Sequence, residues 1–265
     1  WEDVPGSLSD VYFDGAVRNW FSLEIASIGG EVKFYIWTFT NWRSILENRL
    51  YAQYPGIEIV EAKDYALDLI FDPAKNKVSG ITTRLAKEDI LPIKTYIDFG
   101  LDKMDKEPEQ TIDPILPVLE YLGARKPGEV AVVQILIQGH RDQGVQDVMF
   151  TPKKHFANEV KTAIEKISAE KPYFKGKTDH PPSILNLTKT QTEAIASIER
   201  NAAKHAYDTQ LRLFYFATLD AADKSSTAGM IGAMRQFAFV GPNTILNGIR
   251  PHKFIPGITY AWEDF

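Results

Sequence analysis

The alternation of apolar and polar positions begins at Phe21. Residues 21–27, "FSLEIAS", and 31–38, "EVKFYIWT", each alternate with a period of two, and Ile28-Gly29-Gly30 between them predicts a hairpin. The period then lengthens. Within 41–54, Trp42, Leu46, Leu50 and Tyr54 recur at i, i+4 with Ile45 beside them, which predicts an amphipathic helix with a buried stripe. Thr40 or Asn41 can cap its start, and Pro55-Gly56 stops it. At 57–63, "IEIVEAK" returns to strand alternation.

Beyond a turn-rich stretch, "ITTRLAK" at 81–87 reads as a strand, and the acidic run 98–112 as loop. Asp113-Pro114 opens a short helix through "ILPVLEYLG". "EVAVVQILIQGH" at 129–140 is the most apolar strand pattern in the chain and predicts a central position. A loop at 141–152, a helix at 153–168 and a Pro/Gly/Lys-rich linker at 171–182 follow. A helix starts near Thr190, where Thr190 and Glu193 have capping-box spacing and Ile195, Ile198 and Ala202 form its apolar face. Residues 208–217 read as a strand, 224–239 as a helix with a small-residue face, and 241–265 as an irregular tail.

The segments 31–38, 41–54, 57–63, 81–87, 113–122 and 129–140 predict an α+β fold. Its expected core is a ferredoxin-like βαβ-βαβ sheet, extended by further helices and a βα unit. The expected organisation is an N-terminal linker (1–20), a ferredoxin-like subdomain (21–140), a loop, helix and linker (141–187), and a second α/β subdomain with an irregular tail (188–265).

Composition narrows the function by exclusion. The 265 residues carry no cysteine, which removes disulfide scaffolds, thiolate catalysis and cysteine-ligated metals. A net charge of −5 gives no global attraction to phosphate backbones or anionic membranes, although a local basic face is compatible with it. No apolar run approaches the roughly 18 to 20 residues that cross a bilayer. The acidic start, "WEDVPGSLSD", lacks both a leader pattern and an initiating Met, so the expectation is a piece of something longer.

Motifs add little chemistry. "GARKPG" at 123–128 has the glycine spacing of a phosphate-binding loop, but Glu129 and Val130 follow where Lys and Ser or Thr are required. Its glycines also precede a strand, so it reads as a helix-to-strand turn. The five histidines share no ligand spacing, and His140, at the end of the apolar strand, reads as a hydrogen-bonded loop residue. Glu58 and Glu61 fall on opposite faces of the expected strand, which rules out a shared-proton pair. No catalytic, cofactor-binding or metal-ligating residue is assigned.

Two strands do interleave basic and aromatic residues. Lys33, Tyr35 and Trp37 share one face, and Arg212, Phe214 and Phe216 share another. Such faces stack bases in single-stranded nucleic-acid modules, whereas packed helices would bury them. Tyr35, Trp37, Arg212, Phe214 and Phe216 are therefore the interaction candidates.

Several segments in order, "WFSLEIASIGGEVKFYIWT", "ILENRLYAQYPGIEIVEAKDY", "LPIKTYIDFGLD", "IDPILPVLEYLGARKPGEVAVVQILIQGH", "LTKTQTEAIASIERNAAKHAYDTQLRLFYFA" and "YAWEDF", carry a resemblance. Together they resemble the N-terminal, pre-ATPase region of conjugation-related type IV secretion ATPases, as in Patescibacteria-type bacteria. The resemblance implies a cytoplasmic, membrane-proximal adaptor without catalysis or cofactor of its own. It would be held at the inner face of the membrane through segments absent from this chain. Its implied partner is the HerA-like P-loop ATPase domain of the same or a neighbouring chain, with self-association as a further expectation. The alternative from the residues alone is a single-stranded nucleic-acid-binding domain using the aromatic strand faces.

Overall fold

A computed structural model describes residues 19–102, 113–140, 156–169, 187–239 and 242–248. The strands β1 (Trp20–Ile28), β2 (Glu31–Trp37), β3 (Asn76–Leu85), β4 (Glu129–Gly139), β5 (Tyr207–Thr218) and β6 (Ile245–Asn247) form one sheet in the order β2-β1-β4-β5-β3-β6. Every neighbouring pair is antiparallel. The helices are α1 (Arg43–Gln53), α2 (Leu116–Gly123), α3 (Phe156–Ala169), α4 (Lys189–Ala202) and α5 (Ser226–Met234). The class is α+β, as the sequence pattern predicts.

The hairpin forms because Gly29 and Gly30 supply the positive φ angles, 59° and 93°, that a two-residue turn needs. A Cβ on Gly30 would also stand 2.6 Å from the Arg125 carbonyl oxygen. The first predicted βαβ unit does not close. Residues 57–63 lie outside any strand ladder, and α1 buries no residue. Local alternation offers a strand but cannot supply its neighbour. A split βαβ does exist later: β3 and β4 both run antiparallel to β5, which lies between them, with α2 in the connection. A second one follows, since β5 and β6 both run antiparallel to β3, which lies between them, with α5 in the connection. Both split βαβ units thus fall on β3–β6, and of the segments expected to build the sheet 81–140 takes part in one while 31–63 does not.

One face of the sheet carries Ile25, Ile81, Ala131, Val133, Leu213 and Tyr215, which pack under Val118 and Leu122 of α2 and Met230 and Met234 of α5. Gly229 lets α5 approach α2, since a Cβ there would fall 2.4 Å from the Tyr121 ring. That is the use of the predicted small-residue face, and Gly232 by contrast meets nothing within 4 Å. The stretch 123–128 is a turn between α2 and β4, and it is tied down by a buried network. Glu129 accepts from the Lys126 N–H at 2.7 Å and from the Tyr215 hydroxyl at 2.7 Å, while Arg125 donates to it at 3.4 Å. Arg125 also faces Asp223 at 3.7 Å and lies over the Tyr121 ring.

Three boundaries differ from expectation. The capping box of α4 uses Thr188 and Gln191, two residues before Thr190 and Glu193, because Gln191 at N3 reaches back to the Thr188 N–H. The strand expected at 81–87 is β3, which starts five residues earlier, at Asn76. Within the tail expected to be irregular, Ile245–Asn247 pairs with β3 as β6. The loop at 141–152, the linker at 171–182, most of the N-terminal linker and the end of the tail lie outside the described residues.

Candidate functional site

The two aromatic strands turn out to share a single face. Across the sheet, Tyr35 pairs with Glu24, Glu24 with Gln134, and Gln134 with Arg212. Because side chains alternate along each strand, Trp37, Phe214 and Phe216 point to that same side, opposite the α2–α5 core. The β2 and β5 aromatics lie three strand spacings apart, roughly 14 Å.

Their exposures differ. Phe216 is buried with Ala26, Val130 and Val132, and Tyr35 and Phe214 pack around that cluster with Tyr65 and Leu69. The cover is the single turn Tyr65–Asp68 and the residue after it, in place of the packed helices that would bury such a face. This turn is latched to the sheet. The Tyr65 hydroxyl donates to Glu24 at 2.5 Å, and Ser22 and Gln134 donate to the same carboxylate at 2.6 and 2.8 Å. Burial, followed by the hydrogen bond to Glu24, raises the Tyr65 phenol well above its ordinary pKa. Of the five sequence candidates, Trp37 and Arg212 remain exposed.

Trp37 stacks on Trp20 with ring centroids 4.2 Å apart, and Phe39 meets both rings edge-on. Beside Trp20 lies a groove of about 390 Å³ lined by Leu136, Gln138, Asp208, Gln210 and Arg212. Arg212 makes no ion pair with another described residue. Sequence reasoning missed Trp20, Glu24 and Gln138 as members of this face. Extending the alternation of β1 back by one residue would have found Trp20, but the Glu24 and Gln138 positions depend on strand order.

His140, the residue after β4, is hydrogen-bonded: Nδ1 lies 2.7 Å from Asp208 and the ring packs against Phe156. The Glu58/Glu61 pair is separated by use, since Glu61 accepts from Arg43 at 2.7 Å. Among the described residues, no cluster of three or more histidine or carboxylate side chains is placed to hold a metal ion. No helix among them is long and apolar enough to cross a membrane.

A second surface is legible only in three dimensions. The connection from β2 to β3 carries α1 and residues 54–63 as an arm. On it, Ile45, Tyr51, Tyr54, Ile57 and Val60 are 38–71% exposed. The expected buried stripe is absent: Trp42, Leu46 and Leu50 are only half-buried and Tyr54 is exposed. The helix finds no sheet beneath it because the strand that should follow it joins none.

A family model described as Domain of unknown function (DUF8128) matches residues 10–236. No curated protein and no solved structure matches the chain.

Proposed function

The chain belongs to the DUF8128 family, and we propose that it is a non-catalytic interaction domain, an adaptor in a type IV secretion or conjugation ATPase system. One observation carries the interaction reading: the arm at 43–63 holds five large apolar side chains in solvent and buries none in α1. Apolar area left in water on this scale marks a contact surface. The choice of assembly rests on the framework segments that resemble the pre-ATPase region. On that resemblance, the domain works on the cytoplasmic side, at the inner face of the membrane, beside a P-loop ATPase domain of the same or a neighbouring chain.

Two measurements test this. The purified chain is expected to hydrolyse no ATP above background, and the ATPase domain is expected to co-purify with the tagged chain from cells. ATP hydrolysis that a substitution in this chain abolishes would overturn the reading.

A second reading is single-stranded nucleic-acid binding on the Trp37 face. It is favoured by the convergence of Trp20, Trp37, Phe39 and Arg212 beside the groove. Titration of an oligonucleotide at several salt concentrations separates the two. Binding that weakens with salt, and that Trp37→Ala reduces by about 1–3 kcal/mol, supports it. Absence of binding at low salt removes it.

A further inference from the structure

Among the described residues two surfaces are left uncovered, and they fit each other. The first is the outer edge of β2. Ile28 and Glu31 close a two-residue turn and so form a hydrogen-bonded pair. The backbone N–H and C=O groups of Val32, Phe34 and Ile36 therefore point away from β1. No described strand pairs with that edge. Phe34, Ile36 and the adjacent Leu23, on the α2–α5 face beyond the end that the helices cover, are 66%, 40% and 36% exposed. The second surface is the arm, in which α1 buries nothing and the strand-patterned residues 57–63 join no ladder.

We propose that the arm and the edge are completed by a second copy of this chain. In this two-fold dimer the arm of each protomer lies along the β2 edge of the other. Residues 57–63 add a strand to the neighbouring sheet, and α1 closes its open face. The proposal rests on the interaction-domain reading and names the occupant of that surface.

Four arguments support a second copy over another partner. An unpaired strand edge and an unpaired strand-patterned segment each need what the other offers. Both halves are on every protomer, so a two-fold axis satisfies both at once and the assembly closes. The area also suffices. Taking roughly 200 Å² for a large side chain, the exposures of Leu23, Phe34, Ile36 and the five arm residues amount to on the order of 800 Å² per protomer. A standard stable interface takes about 800 Å² per partner. Lys33 on the edge and Glu58 on the arm supply opposite charges to the seam.

The test is light scattering and sedimentation of the chain over a range of concentrations. The expected result is a species of twice the 29.9 kDa chain mass. Phe34→Glu on the edge and Ile45→Glu on the arm should each weaken dimerisation by at least about tenfold. Both positions are exposed in the single chain, so the circular dichroism spectra and denaturation midpoints of the two variants at low concentration should match the parent. Mixing the two variants should restore heterodimer, because one intact arm then meets one intact edge. An edge-to-edge dimer would show no such recovery, and that outcome overturns the arm-on-edge arrangement. A monomer at every concentration overturns the inference entirely. Co-purification of the ATPase domain decides the adaptor reading separately, so the two can fail independently.

Discussion

Glu129 is the buried charge on which the sharpest stability prediction rests. Its side chain is 3% exposed and Arg125 is 10% exposed. The carboxylate accepts from the Lys126 N–H, the Tyr215 hydroxyl and Arg125. Glu129→Ala removes all three contacts and leaves a guanidinium out of water whose remaining acidic neighbour among the described residues is Asp223, 3.7 Å away. Breaking a buried ion pair from one side costs about 3–5 kcal/mol. At a urea m-value of roughly 3 kcal/mol per molar, the unfolding midpoint should fall by about 1 M or more. Glu129→Gln, which keeps an acceptor oxygen for the Lys126 N–H and can donate its amide N–H to the Tyr215 oxygen, should cost distinctly less. The double variant Arg125→Met, Glu129→Gln should be better than the sum of the singles, because it removes both charges together. A Glu129→Ala cost under about 1 kcal/mol would refute the idea that this network holds the α2–β4 turn to β5.

The remaining predictions use the same equilibrium measurements. Burial, followed by the hydrogen bond to Glu129, raises the Tyr215 phenol from 10 to about 12. The neutral phenol is the form the fold favours, so its contribution is fully present below pH 10 and is lost as pH rises toward 12. On the usual conversion the loss is about 2–3 kcal/mol, and the difference between the parent and Tyr215→Phe should narrow over that window. Gly229→Ala should destabilise by about 1–3 kcal/mol because its Cβ meets the Tyr121 ring; trimming Tyr121 to Leu should recover part of the loss. Leu122→Ala, at a fully buried site, should cost about 2–5 kcal/mol, whereas Ile45→Ala on α1 should cost under about 1 kcal/mol at low concentration. Equal costs would mean that α1 belongs to the core.

Much of the local structure was legible. The hairpin, α1, α2, β4, α4 and β5 follow from periodicity and punctuation, since each is decided within a window of about a dozen residues. The turn at 123–128 was also readable, because the residues after the second glycine are wrong for phosphate. Where expectation and structure part, the deciding contact is distant in sequence. Residues 57–63 carry strand alternation as regular as that of β1, yet only β1 has neighbours on both sides. Tyr35 and Phe216 read as exposed aromatics or helix-covered ones, and it took the Tyr65–Glu24 hydrogen bond to show that a single turn covers them.

By itself, then, the sequence determined which stretches are helical or extended, the α+β class, and which residues carry aromatic and basic side chains on each strand. Strand order lay beyond it. Order placed Tyr35, Glu24, Gln134 and Arg212 in one row, put both aromatic strands on one face, and left the β2 edge and the α1 arm uncovered by any described residue. The reason is physical: periodicity reports which side of an element is apolar, whereas partner choice depends on long-range closure, burial and the satisfaction of backbone groups, which no local window contains.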